Sequence, residues 1–185
     1  RSLSFLAQHR QRLPGQRFAI NLAPSTAYRA QFPLEVSRLL AKYAVEAWQL
    51  IFEVTECSNF CNAEQAQHIL SQLQKMGVRI AIDDFGTGHS ALIYLEHFTM
   101  DYLKIDRGFV NAIGTETVTS PVLDAVLTLA RRLNMSTVAE GVETPEQAAW
   151  LREHGVNFLQ GYWISRPMPL AQFREWRPDI SPEGD

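Results

Sequence analysis

Short β-rich runs alternate with one-sided helical patterns along most of the chain, and that alternation restricts the fold more than any other feature. Six runs read as strands, near Arg17–Asn21, Leu50–Val54, Arg79–Asp83, Tyr102–Asp106, Ser136–Glu140 and Asn157–Gln160. The clearest helix is expected over Ala63–Met76. Ala66, Ile69, Leu70, Leu73 and Met76 form its apolar stripe, Asn62 and Gln65 are spaced as a capping box, and Gly77 ends it. A second helix takes Ser120 as N-cap and Pro121 at its first position, and buries Leu123, Val126, Leu127, Ala130 and Leu133. A third opens at Thr144-Pro145-Glu146-Gln147 and stops at Gly155. Strand, one-sided helix, strand is the unit that builds a parallel sheet. The fold class is therefore α/β, either an open doubly wound sheet or part of a (β/α)8 barrel, for which six strands are too few.

No linker, low-complexity tract or internal repeat divides the 185 residues, so a single domain is expected. With 46% hydrophobic and 20% charged residues the chain can bury a core without disulfide or metal staples, which excludes disordered and collagen-like structure. Its apolar runs fall far short of the roughly 20 residues that span a bilayer. No secretory leader is expected from Arg1-Ser2-Leu3 and the mixed segment ending His9-Arg10-Gln11-Arg12, although the chain starts without Met. A net charge of -3 argues against DNA and against anionic membrane surfaces, which require clustered Lys and Arg. Cys57 and Cys61 lack the spacing of a redox or zinc motif and read as inert thiols of a reducing cytoplasm.

In parallel α/β folds chemistry gathers at the carboxyl ends of the strands. The six expected strands end in Asn21, Glu53, Asp83, Asp106, Glu140 and Gln160, every one an oxygen donor. The two-residue period of a strand puts Tyr102, Lys104 and Asp106 on one face and Leu103 and Ile105 on the helix side, so Lys104 shares the carboxylate face. Four carboxylates converging there, with Asp84, Glu56 and Glu143 close behind, would repel one another unless protonated or neutralised by cations. Hard oxygen ligands without paired His or Cys favour Mg²⁺ or Mn²⁺ over zinc. Each residue also has an ordinary reading. Glu53 serves as well as a rim charge, Asp106 as a helix N-cap, Asn21 and Gln160 as loop hydrogen bonders, and Asp83-Asp84-Phe85-Gly86-Thr87-Gly88 as a glycine-rich turn. His68, His89 and His154 read as surface or helix residues.

The stretches Asn21-Leu22-Ala23, Glu53-Val54-Thr55-Glu56, Asp83-Asp84-Phe85-Gly86-Thr87-Gly88, Leu103-Lys104-Ile105-Asp106, Ala139-Glu140-Gly141-Val142-Glu143 and Gln160-Gly161-Tyr162 come in the order found in the EAL-domain family, which the chain resembles. That family consists of bacterial phosphodiesterases that linearise cyclic di-GMP on a TIM-like (β/α)8 barrel. The resemblance implies a family match over about residues 14–176, with 177–185 as a C-terminal tail. It implies Asn21, Glu53 and Asp83 as ligands of a first metal, and Asp83 with Asp84 as holders of a second, in a two-metal Mg²⁺ or Mn²⁺ site. Lys104 and Asp106 are implied to position and activate the attacking water. Glu140, Glu143 and Gln160 complete the shell, and Glu56 anchors the loop 84–89 that links metal binding to dimer contacts.

The sequence departs from the family pattern at His89-Ser90-Ala91, at Gly108 and at Pro24. The Glu-Xaa-Leu motif that names the family is absent, together with the first one or two strands, so the chain is expected to be a domain fragment. The implied function is metal-dependent hydrolysis of cyclic di-GMP to linear pGpG, in signalling between biofilm and motility. The alternative is a catalytically silent EAL-like module that binds cyclic di-GMP or a protein partner. A homodimer, an upstream sensory domain and a cytoplasmic location, with the full-length protein anchored at the inner membrane as a variant, complete what the resemblance implies.

Overall fold

Parallel register is the organising element of the computed structural model, which describes residues 2–9, 15–55, 63–85, 95, 98–114, 119–173 and 175–176. The chain divides into two units, residues 1–103 and 104–185. The first holds helix α1 (Ser2–His9), strand β1 (Phe18–Asn21), helix α2 (Phe32–Tyr43), a 3-10 turn (Ala47–Gln49), strand β2 (Leu50–Thr55), helix α3 (Ala63–Lys75) and strand β3 (Arg79–Phe85). Strand β4 (Tyr102–Ile105) falls at the division. Beyond it come helix α4 (Arg107–Asn111), helix α5 (Thr119–Arg132), strand β5 (Ser136–Ala139), helix α6 (Pro145–Glu153), strand β6 (Phe158–Leu159) and helix α7 (Leu170–Phe173). Strand order is the order of the chain.

In the first unit β1 pairs in parallel with β2, Phe18 opposite Leu50 and Asn21 opposite Glu53. β2 pairs in parallel with β3, Glu53 opposite Ala81 and Thr55 opposite Asp83. Along β2, Leu50, Phe52 and Val54 are buried while Ile51, Glu53 and Thr55 are half-buried, the alternation the pleat requires. α3 supplies the other wall with Ala66, Ile69, Leu70 and Leu73, all nearly inaccessible. At the amino end of β3 one carboxylate closes the structure. Asp101 accepts hydrogen bonds from the Gln74 amide (3.0 Å), the Ile80 backbone N–H (2.9 Å) and Arg79 (2.6 Å). That hydrogen bond and charge hold the Arg79 guanidinium above its ordinary pKa.

In the second unit β5 pairs in parallel with β6 through Val138 opposite Phe158 and Ala139 opposite Leu159. Leu123, Leu127 and Ala130 of α5 and Leu151 of α6 are buried. α6 starts with a capping box. The Thr144 hydroxyl accepts from the Gln147 N–H, and the Gln147 side chain accepts from the Thr144 N–H.

All six expected strands occur, with ends displaced by up to two residues. α2 lies where the sequence pattern above places no helix, although Pro33 in its first turn and Val36 and Leu40 on its buried side carry the signal. α5 begins at Thr119, so Ser120 lies inside the helix rather than at its cap. Asn62, Cys57, Cys61 and the tail 177–185 lie outside the described residues. Among the described residues no helix is long and apolar enough to cross a membrane.

Candidate active site

In the first unit, three neighbouring strands deliver oxygen donors by register alone. Asn21 and Glu53 are directly paired, and Asp83 stands two residues beyond Ala81, the residue opposite Glu53. A two-residue step keeps Asp83 on the face of Ala81, and therefore of Glu53 and Asn21, one rung nearer the carboxyl end. Such stagger between adjacent strands is what a tilted, closing sheet produces. Asn21 is exposed, while Glu53, Asp83 and Asp84 are half-buried, so the donors are open to a ligand from solvent.

Asp84 alters the geometry. Its φ of 57° lies in the left-handed region, which is unfavourable for a residue with a Cβ but tolerated by Asp. Strict alternation would send two consecutive side chains to opposite faces. The left-handed residue breaks that alternation, and carboxylate oxygens of Asp83 and Asp84 come within 4.8 Å of one another. The Asp84 N–H donates to the Asp83 carboxylate at 3.0 Å, fixing the bend.

In the second unit, Lys104 and Glu140 form an ion pair of 2.7 Å, with side chains 7% and 20% exposed. The Glu140 N–H donates to the Ile105 carbonyl at 3.1 Å, which places the end of β5 beside the end of β4. Asp106 is the N-cap of α4, its carboxylate accepting from the Gly108 N–H at 2.8 Å. The ordinary reading of Asp106 as a cap therefore holds, and it fixes the side chain at the strand's end. Gln160 is exposed and Glu143 is exposed, both on the loops that follow β6 and β5.

These loops are locked by close backbone approaches. The Val142 N–H donates to the Gln160 carbonyl at 3.0 Å, and the Trp163 N–H donates to the Val142 carbonyl at 3.0 Å. At Gly161 a Cβ would stand 2.1 Å from the Val142 carbonyl oxygen and 2.3 Å from its nitrogen, so only glycine fits. Gly141 has φ +68°, and a Cβ there would meet the Arg107 Cβ at 2.5 Å, which seats the loop on the first residue of α4. Gln147 accepts from the Glu143 N–H at 2.8 Å and donates to the Val110 carbonyl at 3.3 Å. Neither Gln147 nor the two glycines is among the site residues expected from the sequence, although the Thr144–Gln147 spacing and the Gln160-Gly161 dipeptide carry the signal.

Within the first unit, then, Asn21, Glu53, Asp83 and Asp84 come to one side of three strand ends. Within the second, Lys104 and Glu140 are paired, and Asp106, Glu143 and Gln160 lie on the loops at the ends of β4, β5 and β6. Glu56 and the segment Gly86–His89 fall outside the described residues. Asn21, Glu53, Asp83 and Asp84 are all hard oxygen donors, which suits a hard divalent cation.

Comparison with known proteins gives these residues a family. Over 162 residues the chain is 61% identical to the probable cyclic di-GMP phosphodiesterase PdeN of Escherichia coli strain K12, an alignment covering 88% of this chain and 31% of that protein. It thus spans about a third of that relative's length. Among solved structures, the PaMucR phosphodiesterase in complex with cyclic di-GMP superposes with a TM-score of 0.82 at 40% identity, covering 93% of this chain and 77% of that one. The manganese and cyclic di-GMP complex of Klebsiella pneumoniae BlrP1 gives 0.81 at 31% identity, covering 90% and 42%. The fold is accordingly a TIM-like barrel of EAL type rather than an open doubly wound sheet, with six of a barrel's eight strands among the described residues. The EAL domain family model matches residues 1–167, and the chain belongs to the EAL-domain family.

Proposed function

We propose that this chain is the larger part of an EAL-type domain whose whole protein hydrolyses cyclic di-GMP to linear pGpG with divalent metal ions, Mg²⁺ or Mn²⁺. The observation that carries the reading is the set of oxygen donors Asn21, Glu53, Asp83 and Asp84, brought to one side of three parallel strand ends. Divalent ions held there would lower the pKa of a bound water and stabilise charge on the scissile phosphate. The acidic mouth then takes an anion through its cations, which fits a chain of net charge -3.

The remaining roles fall to the second unit. Lys104, kept beside Glu140, orients the attacking water and stabilises its developing negative charge. Asp106, fixed as the cap of α4, takes part in moving the water's proton. As the water oxygen bonds to phosphorus the phosphorus–O3′ bond breaks, and the departing O3′ receives a proton, opening the ring to pGpG. Glu143 and Gln160 complete the shell, and Glu56 anchors the loop 84–89. The homodimer, the upstream sensory domain and a cytoplasmic site of action rest on the family resemblance.

The test follows pGpG by chromatography after incubating the full-length protein with cyclic di-GMP and Mg²⁺ or Mn²⁺. Chelation should abolish product and re-addition of metal should restore it. Glu53→Ala and Lys104→Ala should each remove activity, and unchanged turnover in either variant overturns the assignment. Binding of cyclic di-GMP without product would mark a signalling module instead.

A further inference from the structure

Gln147 makes more contacts than a helix cap requires. Its side-chain oxygen accepts from the Thr144 N–H at 3.2 Å, as a capping box demands, and also from the Glu143 N–H at 2.8 Å. Its amide nitrogen reaches away from α6 altogether and donates to the Val110 carbonyl at 3.3 Å. Val110 is fully buried in α4, the five-residue helix headed by Asp106. A second contact brings the same two segments together, since Gly141 packs against Arg107 too closely for any side chain. One amide group therefore holds both the loop bearing Glu140 and Glu143 and the helix capped by Asp106.

A five-residue helix has little stability of its own, so its position must come from what it is tied to. Glutamate at position 147 would satisfy the capping box equally well, because a carboxylate accepts from both backbone N–H groups. Only an amide can also donate to Val110. We infer that Gln147 is a positioning residue that fixes Asp106 relative to Glu140 and Glu143, and that its donor nitrogen is the working part. The inference rests on the hydrolytic reading above.

The test compares four variants of the full-length protein. Gln147→Glu keeps the cap and removes the tether, Gln147→Ala removes both, Thr144→Ala weakens the cap alone, and Ala149→Glu adds the same charge at an exposed position of the same helix. Misplacement of reacting groups by a fraction of an ångström costs on the order of tenfold in rate. Gln147→Glu should therefore lower kcat about tenfold, with KM unchanged and the thermal midpoint lowered by only a few degrees, while Ala149→Glu stays at the parent's rate. Hydrogen–deuterium exchange over residues 107–113 should rise in Gln147→Glu and Gln147→Ala but not in Thr144→Ala. Full kcat in Gln147→Glu, or an equal loss in Ala149→Glu, overturns the inference. If the parent itself yields no pGpG the hydrolytic reading fails, and unchanged exchange over 107–113 then refutes the tether independently.

Discussion

The two units place their polar groups by different means. In the first, Asn21, Glu53 and Asp83 are set by strand register, and one left-handed residue, Asp84, adds a fourth donor. In the second, Lys104 and Glu140 are paired at 2.7 Å, and the loops around them are clamped by Gly141, Gly161 and Gln147. Register is a cooperative property of whole strands, so none of these four donor side chains is needed to maintain it. A clamped loop depends on individual atoms. The first arrangement suits groups that receive a ligand, and the second suits groups whose relative positions must not drift during a reaction.

The contrast predicts that conservative changes will be tolerated by the fold in the first unit and not in the second. Gly161→Ala should be the most damaging, because its Cβ would meet backbone of Val142 at 2.1 Å and backbone cannot swing aside. A loss of about 3 kcal/mol in denaturant unfolding is expected, with turnover falling alongside. Survival of parental stability would show that the 160–163 loop is not clamped. Lys104→Met removes the cation that pairs with Glu140 at 2.7 Å in a mostly buried position. With Glu140 20% exposed the penalty for losing that cation is reduced, to about 2 kcal/mol. A double-mutant cycle with Glu140→Gln should recover most of it.

Thr144→Ala should cost about 1 kcal/mol, the usual value of a helix N-cap, read as a lowered thermal midpoint. The smallest change in stability is expected in the first unit. In Asp84→Gly, relief of the left-handed penalty of about 1 kcal/mol is offset by glycine's greater unfolded-state entropy of about 0.5–1 kcal/mol. Stability should stay within about 0.5 kcal/mol of the parent, while Mn²⁺ affinity by calorimetry falls at least about tenfold. A large loss of stability with metal affinity intact would erase the contrast between the units.

Most of the fold was legible because apolar alternation and helix periodicity come from the residues themselves. Leu50, Phe52 and Val54, or Ile69, Leu70 and Leu73, leave little choice of buried face. The donors at strand ends were legible for the same reason, since a strand's last inward residue can be counted from its pattern. Three features were harder to read. α2 opens with Phe32-Pro33, where proline reads equally as a turn. The positive φ of Asp84 is a consequence of what surrounds it, for Asp prefers that region only weakly. Gln147 reads as an ordinary cap until Val110, distant in sequence, is folded beside it.

Asp101 gathers Gln74, Arg79 and the Ile80 backbone at the amino end of β3, away from Asp83 and Asp84 at its other end. One strand therefore has a fastening at its foot and, on the proposed function, metal-binding carboxylates at its head. Substitutions at the head can alter ligand preference while the fastening keeps the strand in place, and changes at the foot are exposed to selection chiefly through folding. On that reading a lineage carrying this strand could explore new specificities, or lose activity entirely, without first losing the domain.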